Sequence, residues 1–68
     1  IPKKPISSLQ TATVEDLQTL GHLQIVITKI AAELNIAETG YRVVTNIGSD
    51  GGQSVPHLHY HVLGGRGL

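Results

Sequence analysis

The sequence contains no cysteine, no methionine, no tryptophan and no phenylalanine, and its only aromatic residues are two tyrosines. Without cysteine there can be no disulfide, no thiolate metal site and no cysteine nucleophile. This composition fits a reducing compartment, and a cytoplasmic placement is the corresponding expectation. Charge of either sign is scarce: five Lys and Arg balance five Asp and Glu, for a formal net charge of zero. No basic stripe is present to follow a phosphate backbone, so a dedicated nucleic-acid binder is not expected. Long apolar runs are missing too. The longest are segments such as Ile25-Val26-Ile27, far short of the ~20 residues a membrane span requires, so no membrane association is expected. Lys3-Lys4 leads into no apolar signal core, which argues against a secretory peptide. At 68 residues, one small domain is the limit. A domain of ~60 residues buries only ~60% of its unfolded surface and gains from a reinforcing partner. The chain opens on Ile1-Pro2 rather than Met, which suggests a processed, trimmed or partial sequence.

What is present is distributed unevenly. Seven of the eight glycines lie at or after Gly40, and three of the four histidines lie between His57 and His61. Residues 1 to 12 read as irregular, because Pro2 and Pro5 push their predecessors away from helix and Ser7-Ser8 suits a turn. Thr13 followed by Glu15 and Asp16 reads as a helix start, with a capping hydroxyl and acids at the positive end of the dipole. From Val14 to Leu34, steps of three and four link Leu17, Leu20, Leu23, Ile27, Ile30, Ala31 and Leu34 into one stripe, which predicts a long amphipathic helix. Ile25, Val26 and Ile30 widen that stripe beyond what one packing partner covers. Gly21 inside the helix is either a tolerated defect or a point of close helix approach, and His22 falls off the main stripe. Asn35 is a plausible stop, followed by a turn through Gly40. Tyr41 to Ile47 then reads as a strand and Ser54 to Leu63 as a second, joined by the turn-rich segment 48–53 into a hairpin.

Along the second strand, alternation places His57, His59 and His61 on one face and Leu58, Tyr60 and Val62 on the other. The latter three form a core face, but no packing argument calls for three imidazoles in a row. Chance exposure on a solvated face is the bland explanation. A second is metal binding, with zinc the natural ion. At ~3.3 Å per residue, however, the outer histidines are ~13 Å apart, too far to share one ion. The third explanation is phosphate-ester chemistry. Imidazole is largely neutral at neutral pH, can attack phosphorus and can leave again, while neighbouring imidazoles donate protons or stabilise charge. Gly48, Gly51 and Gly52 permit positive φ and expose amides to an anion, with Ser54, Gln53 and Asn46 adding polar groups nearby.

The run His57-Leu58-His59-Tyr60-His61-Val62-Leu63 matches the His-φ-His-φ-His-φ-φ signature of the histidine triad superfamily, where φ denotes an apolar residue. Gly40-Tyr41-Arg42, Asn46, the stretch from Gly48 to Val55 and Gly64-Gly65-Arg66 resemble its nucleoside phosphoramidate hydrolase (Hint) branch. Ile1-Pro2-Lys3-Lys4 and Gly21-His22-Leu23 also sit where that branch has similar residues.

The resemblance implies an α+β fold: an antiparallel sheet with one long amphipathic helix, the sheet extending across a homodimer. It implies hydrolysis of purine nucleoside 5'-phosphoramidates through a nucleotidyl-histidine, without cofactor. His59 would be the nucleophile, held at its other ring nitrogen by the main-chain carbonyl of His57. His61 would bind the phosphate, Ser54 would lie near the leaving nitrogen, and Asn46, Gly52 and Gln53 would line the phosphate site. The third histidine favours hydrolysis over nucleotidyl transfer, since the transferase branch typically carries Gln there.

A dinucleoside polyphosphate hydrolase of the same superfamily, or a non-catalytic module binding nucleotide or zinc, are the alternatives. Two positions depart from the pattern: Pro5 stands where a histidine is usual, and Pro56 replaces an aromatic and must sit at an edge or bulge. The family domain also extends beyond both ends. Residues 1–68 are therefore expected to form a single domain lacking N-terminal strands, a helix and a C-terminal tail. Were they the entire molecule, weak folding and little activity would be expected, whereas a full-length parent would be an ordinary enzyme of the branch.

Overall fold

The computed structural model describes residues 5–68; the expectations for Pro2, Lys3 and Lys4 fall outside that range. Two short 3-10 turns, Leu9–Thr11 and Val14–Asp16, lead into a single α-helix, α1, Leu17–Glu33. Two strands follow, β1 (Tyr41–Val44) and β2 (His61–Gly64), paired antiparallel with Val44 opposite His61 and Tyr41 opposite Gly64. The architecture is α+β, one long helix beside a two-stranded ribbon.

The entry to α1 is tighter than periodicity alone suggests. Thr13 donates its backbone N–H to the Asp16 carboxylate at 2.9 Å, so the acid at the third position satisfies the cap residue's own amide. Asp16 N–H in turn donates to the Thr13 carbonyl at 2.9 Å, closing a 3-10 turn where continuous α-helix was predicted. The exit is at Asn35, as predicted. With φ of 60°, Asn35 takes the left-handed position after the helix. Its N–H reaches the Ala32 carbonyl at 3.1 Å, and the Ile36 N–H reaches the Ala31 carbonyl at 3.0 Å. This is a Schellman motif, with Ile36 and Ala31 both buried at its hydrophobic contact.

The core is small: Ile6, Ile27, Ala31, Ile36 and Leu58. Ile27 and Ala31 are buried, and Leu20, Leu23 and Val26 half-buried, whereas Leu17, Ile25, Ile30 and Leu34 are exposed. The predicted stripe is thus too broad for a ribbon of two strands, which covers one strip of the helix. A Cβ on Gly21 would meet nothing within 4 Å, so this glycine is a tolerated defect. At Gly64, a Cβ would lie 2.9 Å from Ile36 Cδ1 and 3.2 Å from Tyr41 Cβ; the missing side chain is what lets Ile36 sit against the ribbon.

The ladder is shorter than the β-prone runs at 41–47 and 54–63. Residues 55–57 form a bend around Pro56, which has no N–H to pair. The Leu58 N–H turns instead to the Ile6 carbonyl, at 2.6 Å. His57 and His59 therefore precede β2, and only His61 belongs to it. The strands are joined by a long connection rather than a tight hairpin.

Candidate active site

The alternation that placed three histidines on one side persists outside the ladder. Leu58 is buried and Tyr60 and Val62 are half-buried, while His57 and His61 are exposed and His59 half-buried. Tyr60 lies at the margin of the core, where its hydroxyl accepts a hydrogen bond from the Gln24 amide at 3.0 Å. Leu58, Tyr60 and Val62 face Leu23, Val26, Ile27 and Ile30 of α1 across a cavity of about 200 Å³ that His59 also lines. His22, on α1, is exposed and does not line that cavity.

His59 is held by contacts within the row. Its Nδ1 lies 3.1 Å from the His57 main-chain carbonyl. A carbonyl can only accept, so this contact selects the tautomer with the proton on Nδ1 and leaves the Nε2 lone pair available. The His61 ring meets the His59 ring edge to face, with centroids 5.1 Å apart and planes at 81°. On its backbone side, the His59 carbonyl accepts a hydrogen bond from the Thr45 hydroxyl at 2.8 Å.

The glycine-rich loop is built by its own amides. Gly51, Gly52 and Gln53 donate backbone N–H groups to the carbonyls of Gly48, Ser49 and Gly48 respectively. Gly48 and Gly52 adopt φ of 70° and 82°, the left-handed region that glycine enters without penalty. Gly51 does not, and the amides expected to face an anion are instead bonded within the loop. Asn46 Nδ2 donates to the Gly51 carbonyl at 2.7 Å. Gln53 spans further: its Oε1 accepts from Gly48 N–H at 2.9 Å, and its Nε2 donates to the carbonyls of Ser7 at 2.7 Å and Val55 at 2.9 Å. Ser54 is exposed at the loop exit, lining a surface cavity of about 350 Å³ with Ser7, Gly48, Ser49, Gln53 and Pro56.

Two groups of candidate residues therefore emerge. His59 touches both the His57 carbonyl and the His61 ring, and Asn46, Gly52 and Gln53 share the loop. Thr45 and Asn46, adjacent in sequence, join them: the first bonds to the histidine row and the second to the loop. In sequence Thr45 reads only as a β-branched strand residue, and nothing local marks its hydroxyl. Among the described residues, no group of three or more His, Asp or Glu side chains is placed to hold a metal ion. No helix among them is long and apolar enough to cross a membrane.

A sequence model of the HIT domain matches residues 1–68, the whole chain. The chain belongs to the HIT domain family. This HIT domain is 53% identical over 68 residues to an uncharacterised HIT-like protein of Synechococcus elongatus, covering 100% of this chain and 59% of that protein. An uncharacterised HIT-like protein of Synechocystis is 50% identical over 66 residues, which are 97% of this chain and 57% of the relative. Among solved structures, a HIT family hydrolase from Legionella pneumophila superposes with a TM-score of 0.94 at 42% identity, covering 98% of this chain and 60% of the other. A histidine triad protein from Clostridium difficile superposes with a TM-score of 0.91 at 47% identity, covering 100% and 59%. The fold is that of HIT family hydrolases, and the chain spans about three-fifths of the length of these relatives.

Proposed function

We propose that the protein is a hydrolase of purine nucleoside 5'-monophosphoramidates, of the Hint branch, acting through a covalent nucleotidyl-histidine. The observation that carries this reading is the 3.1 Å contact between His59 Nδ1 and the His57 carbonyl. In the neutral ring this contact fixes the proton on Nδ1 and leaves Nε2 free, which is the form a phosphorus nucleophile needs. In the proposed reaction, Nε2 attacks phosphorus and the P–N bond to the amine breaks. The departing nitrogen takes up a proton from solvent, relayed through the Ser54 hydroxyl beside it, and leaves as the free amine. Water then attacks phosphorus, the bond to Nε2 breaks, and one water proton is released with the nucleoside monophosphate. His61 stabilises charge on the non-bridging oxygens. Asn46, Gly52 and Gln53 shape the loop against the phosphate.

In this reading the imidazoles suffice and no cofactor is invoked. The working unit is a homodimer in the cytoplasm, and its ligand is a purine nucleotide. The test is hydrolysis of a fluorogenic adenosine 5'-phosphoramidate. His59→Ala is expected to lower kcat by on the order of a thousandfold or more, as loss of a covalent nucleophile does. Equal rates for the two proteins would overturn the mechanism. Wild-type hydrolysis of dinucleoside polyphosphates in preference to the phosphoramidate would assign a different substrate to the same site.

A further inference from the structure

We propose that Thr45 is a positioning residue for the His59 nucleophile, holding the histidine row in register beyond the end of the sheet. The inference rests on the reading of His59 given above. The backbone ladder between β1 and β2 ends at the pair Val44 and His61, so His59 lies two residues outside it. There the Thr45 hydroxyl takes over, donating to the His59 carbonyl at 2.8 Å across 14 residues of chain. The direction of that carbonyl fixes the backbone torsion at His59, and with it the path of the ring toward the His57 carbonyl. His59 is thus gripped at two points, carbonyl and Nδ1, each by a hydrogen bond of ordinary length.

The same short segment also fastens the loop. Asn46, the next residue, donates to the Gly51 carbonyl at 2.7 Å. Consecutive side chains of one segment therefore fasten the histidine row on one side and the glycine-rich loop on the other. A nucleophile and its phosphate cradle must keep a common geometry, and small displacements are costly when the reacting atoms must meet in line.

The test compares Thr45→Val and Thr45→Ser with the wild-type chain. Valine keeps the β-branched shape but leaves the half-buried His59 carbonyl without its donor, whereas serine restores the hydroxyl. For adenosine 5'-phosphoramidate, Thr45→Val is expected to lower kcat ~10-fold while KM changes by no more than ~2-fold, because only the attacking geometry is disturbed. Thr45→Ser should recover most of that loss. The second readout is independent of turnover: long-range 15N spectra of the imidazoles. The wild type should show His59 with its proton on Nδ1, and Thr45→Val should show a mixture of tautomers. An unchanged His59 tautomer or an unchanged kcat in Thr45→Val would overturn the proposal. So would equal loss of activity in both variants accompanied by equal loss of thermal stability, since that marks a purely structural residue. If the wild type hydrolyses nothing, the catalytic reading fails, while the tautomer spectra still decide whether Thr45 positions His59.

Discussion

At the scale of single residues, the molecule depends on side chains that are absent as much as on those present. Gly64 pairs with Tyr41 at the end of the ladder, and the space where its Cβ would project is taken by Ile36 Cδ1 at 2.9 Å and Ile36 Cβ at 3.3 Å. Among the described residues, Ile36 is one of five buried apolar ones, and it forms the hydrophobic contact of the helix stop. Gly64→Ala should therefore displace a core side chain rather than merely add a methyl group. Overpacking of this kind costs ~1–3 kcal/mol, a large fraction of the stability of a domain this small. Urea or thermal unfolding of Gly64→Ala should show a loss in that range. Gly21→Ala, with open space around it, should gain stability from its better helix propensity, by ~1 kcal/mol. Equal stability of the two variants would show that the Ile36 contact is not limiting.

At the scale of elements, the loop from Gly48 to Gln53 is tied by several of its own hydrogen bonds. A Cβ on Gly51 would fall on the Ile47 carbonyl oxygen, and backbone cannot give way as a flexible side chain can. Gly51→Ala should force the loop open, loosen the Asn46 bond to the Gly51 carbonyl, and lower phosphoramidate turnover by ~10-fold or more while the helix signal in circular dichroism stays constant. Retained turnover would show that the loop does not shape the site.

The same elements show what the sequence makes legible. The helix is readable because its apolar steps of three and four persist over five turns, and Asn35 is readable as a stop because asparagine tolerates positive φ. The row of histidines is readable from alternation alone. The strand ends are not, because β-propensity at Thr45 to Ile47 and at Ser54 to Tyr60 is overridden by where each backbone group finds a partner. Pro56 offers no N–H, and the Leu58 N–H goes to Ile6, more than fifty residues earlier. Likewise the Thr45 hydroxyl and the Gln53 amide acquire their roles from contacts 14 and 46 residues away, and no local pattern records such contacts.

At the scale of the whole molecule, the apolar surface exceeds what the ribbon can cover. Leu17 and Ile25 are 66% and 55% exposed on α1, and Val14 and Leu34, which flank it, are 80% and 62% exposed. The buried face of the helix is limited to a strip around Ile27 and Ala31. Full burial of one such side chain is worth ~1.5–3 kcal/mol, and a two-stranded ribbon is marginal by itself. A second copy laid against the side of the helix that carries Leu17 and Ile25, as the proposed homodimer supplies, would couple stability to association. Mass action then makes the melting temperature a function of protein concentration, since dilution withdraws the stabilising partner. The chain should accordingly sediment as a dimer at high concentration, dissociate on dilution, and lose thermal stability in parallel with dissociation. Leu17→Glu and Ile25→Glu, both at exposed helical positions, separate association from folding: at least one should abolish the concentration dependence without lowering the melting temperature of the dilute chain. A single sedimenting species with a melting temperature independent of concentration would overturn the dimer and leave the exposed helix positions without a self-partner.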